Sequence, residues 1–78
     1  MKVKVYSTPI CPWCGKLKDW LKEKNIEFEE IDVSIDLDSA KKMVEKTGQM
    51  GVPVTEIDGR FIVGFDINKL KQLLKIKE

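Results

Sequence analysis

The sequence predicts an α/β protein in which one mixed four-stranded sheet is flanked by three helices, in the order βαβαββα. Segments that alternate apolar and polar residues, as strands do, are interleaved with segments whose apolar residues recur every three or four positions, as in helices. The pair Asp58-Gly59 between two apolar segments is a strong signal for a tight hairpin turn. A chain of 78 residues builds one domain, so we expect residues 1–78 to fold as a single unit.

The first strand and the first helix frame the only two cysteines. Residues 2–7 alternate in polarity, which predicts a strand whose inner face includes Val3 and Val5. Pro12 fits the first turn of a helix, where its missing N–H group is not needed. This helix is predicted to end just before Asn25, which is suited to a left-handed cap. The residues expected to face the core from this helix are Cys14, Leu17, Trp20 and Leu21.

The second strand and helix complete a βαβ unit. Residues 28–33 predict a strand whose apolar phase changes between Phe28 and Ile31. A second helix is predicted to begin near Asp36 and to end at Gly48. Its expected buried stripe consists of Leu37, Ala40, Met43 and Val44. The two strands of such a unit are parallel and joined by a right-handed crossover.

The last third of the chain predicts a hairpin and a final helix. Residues 54–57 and 60–63 are the two antiparallel strands, and Asp66 is the expected N-cap of the helix. The residues that this helix is expected to bury are Ile67, Leu70, Leu73 and Leu74. The three helices then cover both faces of the sheet.

Composition and charge exclude several classes of function. The net charge of +1 and the lack of a basic stripe interleaved with aromatic residues argue against nucleic-acid binding. No apolar segment approaches the roughly 20 residues that cross a bilayer. Residues 2–6 alternate charged and apolar side chains, unlike a signal peptide. We therefore expect a cytoplasmic protein without membrane contact, and a monomer.

Charge is distributed unevenly along the chain. Residues 1–24 carry six lysines against two acids, whereas residues 25–40 carry six acids and no base. Either the basic segment attracts an anionic thiol or partner to the cysteines, or both segments are ordinary solvated faces of a small charged protein.

The two cysteines, Cys11 and Cys14, enclose Pro12 and Trp13 at the predicted start of the first helix. Near the N-cap, the helix dipole and the backbone N–H groups of Trp13 and Cys14 favour the Cys11 thiolate over the thiol. Lys16 would add cationic support, and the chain has no histidine that could act as a base. The pair is predicted to be a redox dithiol in which Cys11 attacks and Cys14, shielded one turn inside the helix, resolves the mixed disulfide.

Two other interpretations of the cysteines are weaker. In a reducing cytosol a cysteine pair is catalytic or metal-binding more often than structural. Zinc takes four Cys or His ligands, and this chain supplies two Cys and no His, so a metal or iron–sulfur site would need two chains. Inert cysteines are the remaining alternative. We favour the redox role and expect no metal site within one chain.

These motifs resemble the glutaredoxins, within the thioredoxin superfamily. Besides the motif from Cys11 to Cys14, Gly51-Val52-Pro53 matches the segment where the family places a cis-proline, and Val63-Gly64-Phe65-Asp66 matches the loop before its last helix. The resemblance covers essentially the whole chain. Among the glutaredoxins, the chain resembles in particular the small prokaryotic glutaredoxin-like proteins. It implies a thioredoxin-like fold and a dithiol–disulfide oxidoreductase.

The resemblance also implies a substrate site. A cis Val52–Pro53 bond would present the Val52 backbone beside Cys11, so that an extended thiol substrate pairs with it like an added strand. Without the resemblance, this dipeptide would simply begin a strand. Asp66, with the neighbouring Gly64 and Phe65, would contact the γ-glutamyl amino group of glutathione. Four further residues are candidates near the site: Trp13 as a partner contact or lid, Met50 as groove lining or loop packing, and Tyr6 and Thr8 as supports of the cysteines.

Departures from the family pattern leave the electron source open. Gly51 stands where glutathione-using members have threonine, Val63 where they have glycine, and Ile67 where they often have an acid. The expected reductant is therefore either glutathione or a flavoprotein of the thioredoxin-reductase type, with no cofactor bound to the chain itself. Expected substrates are protein disulfides or glutathione mixed disulfides. The alternatives are an electron carrier dedicated to one enzyme, such as ribonucleotide reductase, and an iron–sulfur-bridged dimer, against which Pro12 argues.

Overall fold

The computed structural model describes residues 2–49 and 51–75 and has the predicted element order. The elements are β1 (Val3–Ser7), α1 (Pro12–Glu23), β2 (Glu29–Asp32), α2 (Leu37–Thr47), β3 (Val54–Ile57), β4 (Arg60–Val63) and α3 (Ile67–Leu74). Each predicted strand and helix is present, and its bounds either coincide with the predicted ones or differ by one residue. The predicted mixed α/β architecture is confirmed.

The four strands lie in the order β2-β1-β3-β4. β1 and β2 are parallel, whereas β3 is antiparallel to β1 and to β4. In this register Tyr6 of β1 lies between Ile31 and Val54. It follows that β1, β2 and β4 end, and β3 begins, at the same end of the sheet. We call this the cysteine end, because the chain leaves β1 there to reach Cys11. We call the opposite end, where the turn between β3 and β4 lies, the hairpin end.

Two apolar clusters cover the two faces of the sheet. The first contains the buried side chains of Val3, Val5, Leu17, Leu21, Ile57, Ile62 and Leu70, so α1 and α3 pack on that face. The second contains Tyr6, Met43 and Val54, so α2 packs on the other. Phe28 packs against the first cluster and Ile31 against the second, which explains the change of apolar phase along this segment.

One prediction about α2 is wrong. Of the expected buried stripe, only Met43 is buried; Ala40 and Val44 are half-buried, and Leu37 is 67% exposed. At about 100° per residue, Met43 points roughly 100° away from Val44 around the helix axis. The helix turns the Met43 side toward Tyr6 and Val54, which leaves the rest of the stripe toward solvent.

The ends of the elements follow the sequence signals. Asn25 has a φ of 59°, and Asp58 and Gly59 have φ values of 48° and 87°, as a two-residue hairpin turn requires. Asp36 caps α2 through a hydrogen bond from the Ser39 N–H group. This bond, together with one from the Ser39 hydroxyl, holds the pKa of the Asp36 carboxyl below its usual value.

The segment between β2 and α2 is anchored to the cysteine end. The Val33 N–H group donates to the carbonyl oxygen of Ser7, the last residue of β1, at 3.0 Å. The Ile35 and Asp36 N–H groups both donate to the carbonyl oxygen of Asp32, which closes the turn into α2. The start of α2 is therefore held beside the point where the chain leaves β1 for the cysteines.

Candidate active site

The redox motif occupies the start of α1, as the sequence predicts. Cys11 is the N-cap, with an extended backbone (φ −101°, ψ 108°), and its sulfur accepts a hydrogen bond from the Cys14 N–H group at 3.1 Å. Of the two donors expected from the sequence, Trp13 and Cys14, it is the Cys14 N–H group that reaches the sulfur. Pro12 fills the first helical position, where no hydrogen bond is lost. The Cys11 N–H group donates to the Thr8 carbonyl oxygen at 3.4 Å, which links Thr8 to the motif through its backbone.

Cys11 and Cys14 form a disulfide, with their Cα atoms 5.3 Å apart. The two sulfurs have unequal access to solvent. Cys14 is only 1% exposed beneath the first turn of the helix, whereas Cys11 is half-buried at its end. An incoming sulfur can therefore reach Cys11 but not Cys14.

A groove of about 320 Å³ lies beside the motif, and its lining contains five of the predicted site residues. These are Trp13, Val52, Pro53, Gly64 and Phe65. The Val52–Pro53 peptide bond is cis, as the family resemblance implies. The Gly64 N–H group donates to the Pro53 carbonyl oxygen at 2.8 Å and joins the two loops that form the wall. Gly64 has a φ of 77°, a conformation that favours glycine.

Trp13 forms one side of the groove and is held from two directions. Its ring lies 6.3 Å from that of Phe65, centroid to centroid, and the Lys16 ammonium lies 4.3 Å from the indole centroid. Trp13 remains 54% exposed. Lys16 thus makes a cation–π contact with Trp13. Its predicted electrostatic support of the Cys11 thiolate remains a prediction.

The remaining candidates take different places. Asp66 is the N-cap of α3, and its Oδ1 accepts from the Lys69 N–H group at 3.1 Å, which confirms the capping role; its contact with glutathione remains a prediction. Val63 is exposed at the end of β4 and is not one of the residues lining the groove. Met50 lies outside the described residues.

Tyr6 belongs to a buried polar contact on the α2 face of the sheet. Its hydroxyl donates to Glu56 Oε1 at 2.6 Å, and the Lys42 ammonium lies 3.6 Å from the same oxygen. Burial first, and then the Glu56 carboxylate, raise the pKa of the Tyr6 phenol. Tyr6 therefore links β1, β3 and α2, which is a different role from the expected support of the cysteines. The sequence signal for this contact is an acid at an inward strand position, two residues along β3 from the residue that pairs with Tyr6, and sequence reasoning missed it.

Among residues 2–49 and 51–75, no group of three or more His, Cys, Asp or Glu side chains is arranged to hold a metal ion. Within the same residues, no helix has the length and apolar character needed to cross a membrane.

Comparisons with known proteins agree with this fold and site. A family model described as Glutaredoxin matches residues 3–62. The chain is 45% identical over 73 residues to an uncharacterized glutaredoxin-like 8.6 kDa protein in the rubredoxin operon of Clostridium pasteurianum, covering 94% of this chain and 97% of the relative. It also aligns with a crystal structure of a point mutant of the thioredoxin-like protein BC3987, at a TM-score of 0.89 and 38% identity, covering 97% of each chain. The NrdH-redoxin of Escherichia coli, at 19% identity and a TM-score of 0.76 over 100% of this chain and 97% of that one, shares the fold. The chain belongs to the glutaredoxin family.

Proposed function

We propose that this protein is a dithiol–disulfide oxidoreductase that reduces protein disulfides or glutathione mixed disulfides. The observation that carries the proposal is the unequal access of its two cysteines. Cys11 sits accessible at the N-cap of α1, and Cys14 lies buried one turn inside within bonding distance of it. This arrangement suits a nucleophile and a resolving thiol.

The first step is attack by the reduced form. The Cys11 thiolate attacks one sulfur of the substrate disulfide, a Cys11–substrate disulfide forms, and the other substrate sulfur leaves as a thiolate. The hydrogen bond from the Cys14 N–H group and the N-terminal end of the α1 dipole stabilise negative charge on Cys11 before the attack. They need no histidine to do so.

The second step releases the product. Cys14 loses its proton, its thiolate attacks the Cys11 sulfur, and the second substrate sulfur leaves as a thiolate. Two electrons have then passed to the substrate, whose two thiolates take up protons from the solvent, and the protein carries the Cys11–Cys14 disulfide. Because the two Cα atoms are 5.3 Å apart, this ring closes without displacement of the helix start.

The groove supports an approach by an extended substrate. Its walls are apolar side chains and backbone, and the cis Val52–Pro53 bond ends the loop immediately before β3. A chain lying in the groove would pair with the backbone of Val52 and place its sulfur at Cys11. Trp13 and Phe65 would cover its opposite side.

We propose that a flavoprotein reductase of the thioredoxin-reductase type supplies the electrons in preference to glutathione. We further propose that the protein works in the cytoplasm and that the chain itself binds no cofactor. A tripeptide needs several charged contacts, and the five groove-lining residues offer none. The charged candidates beside them are Asp66, one of whose oxygens already caps α3, and Lys16, whose ammonium lies over the Trp13 ring. Ile67 supplies no charge where glutathione-using relatives often have an acid.

A second candidate function is an electron carrier dedicated to one enzyme, such as ribonucleotide reductase. It is favoured by the shared fold with a redoxin that is itself described as having a thioredoxin-like activity profile. The same chemistry at Cys11 would serve this role. An iron–sulfur-bridged dimer is the least favoured alternative, and visible absorbance after anaerobic purification would reveal it.

The test uses cysteine variants and two reductants. Cys11→Ser should abolish reduction of disulfides, because the structure describes no other thiol that could replace it. Cys14→Ser should accumulate the mixed disulfide with a protein substrate, detectable as a covalent adduct by mass spectrometry. Wild-type turnover with glutathione plus its reductase, or with a thioredoxin reductase, then identifies the electron source. Substantial activity of Cys11→Ser would rule out the mechanism.

A further inference from the structure

The large apolar side chains that the structure leaves exposed are confined to the cysteine end of the sheet. They are Ile10, Trp13, Ile35, Leu37 and Val63. Because β1, β2 and β4 all end at the cysteine end, the segments that follow them place all five residues there. Within residues 2–49 and 51–75, the hairpin end has no exposed large apolar side chain. Such confinement is typical of an interaction surface, because isolated exposed apolar residues are otherwise scattered.

Part of this surface lies outside the groove beside the cysteines. Ile35 and Leu37 are 78% and 67% exposed, and neither lines that groove. Leu37, with Ala40 and Val44 one and two turns further along α2, lines a separate shallow groove of about 380 Å³. We call Ile35, Leu37, Ala40 and Val44 the α2 patch. Leu37, Ala40 and Val44 share a face of α2, as the sequence predicts, but the rest of the protein covers that face only in part.

The α2 patch is close enough to the cysteines to contact the same partner. The segment that carries Ile35 is hydrogen-bonded through Val33 to Ser7, four residues before Cys11. The whole molecule measures 35 × 23 × 17 Å. A standard protein interface covers about 800 Å² on each partner, roughly 30 Å across, so a protein engaged at Cys11 over such an area can extend to the start of α2, where the patch begins. A small thiol in the first groove would not reach it.

The charges around the patch define the partner further. Asp36 and Asp38 flank Leu37 along the chain, and Lys41 and Glu45 both line the second groove. Of the other bases of α2, Lys42 is paired with Glu56 of β3, and Lys46 lies nine residues after Leu37, about 180° around the helix axis from it. The rim of the α2 patch therefore carries three acids against one base. An apolar segment with basic neighbours complements it better than an acidic one.

We propose that the α2 patch is a second docking site for the protein that carries the substrate disulfide, and that it binds an apolar side chain flanked by lysine or arginine. The inference rests on the proposed function and deepens it, because it makes protein disulfides the preferred substrate class. The patch acts on binding and leaves the thiol chemistry at Cys11 and Cys14 unchanged.

The test compares two synthetic peptides with the same disulfide ring. In the first, a Gly-Ser linker of about 20 residues, which spans roughly 25 Å, joins the ring to a segment of leucine and lysine. In the second, serine and glutamate replace the leucine and lysine. We expect the wild-type protein to reduce the first peptide with a kcat/KM about tenfold higher, through KM, the effect of one well-buried apolar contact.

Three variants make the result specific to the patch. The double variant Ile35→Ser/Leu37→Ser should reduce the preference to within about twofold, since both apolar contacts are lost. Asp38→Lys, a single exposed change, should weaken the preference for the lysine peptide. Arg60→Ser, at the hairpin end, should retain the full preference. Turnover of 2-hydroxyethyl disulfide should be equal in all variants and reports that each one folds.

The outcomes separate the two proposals. If the wild-type protein reduces 2-hydroxyethyl disulfide but treats the two peptides alike, the docking site is refuted and the proposed function stands. A preference that persists in both the double variant and Asp38→Lys also refutes the docking site. If the wild-type protein reduces no disulfide at all, the proposed function itself fails.

Discussion

Asp66 has one observed role, as a helix cap, and one expected role, in binding glutathione, and one pair of substitutions can separate them. In the structure its Oδ1 accepts from the Lys69 N–H group at 3.1 Å and caps α3, while family resemblance also assigns the carboxylate to the amino group of glutathione. Asp66→Asn retains an oxygen that can cap but removes the charge. Asp66→Ala removes both.

The expected magnitudes follow from these contacts. Loss of a cap costs about 1 kcal/mol, so Asp66→Ala should lower Tm by roughly 4–8 °C in a chain of this size. Asp66→Asn should change Tm little, since asparagine caps about as well as aspartate. A charge-assisted hydrogen bond contributes about 1.5–3 kcal/mol to binding. Because Asp66 is partly exposed, we expect its loss to cost an amount near the lower value. The KM for glutathione should therefore rise about tenfold in both variants.

The assay combines thermal unfolding with turnover at varied glutathione concentration. A dithiol such as dithiothreitol, which has no amino group to bind, serves as the control reductant and should support equal rates in all three proteins. If Asp66→Asn leaves KM for glutathione unchanged, Asp66 is only a helix cap. If Asp66→Ala leaves Tm unchanged, the capping argument itself is wrong.

Three further predictions concern the thiol, the backbone and the core. The rate at which Cys11 is alkylated should be measured as a function of pH in Cys14→Ala, which leaves one thiol. Its midpoint should lie below a pH of about 7.5. A midpoint near pH of about 8.5, as in free cysteine, would refute activation by the helix start. Gly64→Ala should destabilise the protein by about 1–2 kcal/mol, because Gly64 has a φ of 77°. Gly15→Ala, inside α1 with open space at its Cβ position, should stabilise the protein by about 0.5–1 kcal/mol. Denaturant unfolding that shows the same direction of change for both variants would contradict this. Because folding raises the pKa of the Tyr6 phenol, its contribution to stability should be complete below pH of about 10 and decline as pH rises further. Unfolding of Tyr6→Phe should lack that alkaline decline, and an identical decline in both proteins would show that other groups cause it.

Local signals in the sequence predict most of the fold. Asp58-Gly59 and Asn25 each require a particular backbone conformation, and the structure has it at each position. The motif at Cys11 is similarly local, because Pro12 and the helix start are adjacent to it in sequence. Such features need no knowledge of distant contacts.

The failures concern contacts that depend on tertiary placement. Periodicity identifies which residues of α2 share a face, but not which face the sheet covers, so Leu37 was expected inside and lies outside. The Tyr6–Glu56 hydrogen bond joins residues 50 positions apart, and the register of β1 against β3 brings them together. The place of Lys16 over Trp13 likewise depends on side-chain rotamers, which the sequence does not specify.

The position of β2 at one edge of the sheet has a consequence for self-association. An edge strand exposes unpaired backbone groups that can template pairing with another molecule. Three of the four residues of β2 are acidic, namely Glu29, Glu30 and Asp32. A second copy that approached this edge would bring its own carboxylates against them, and Lys18 offsets only the one at Glu30. Pairing between the β2 edges of two copies is thereby opposed.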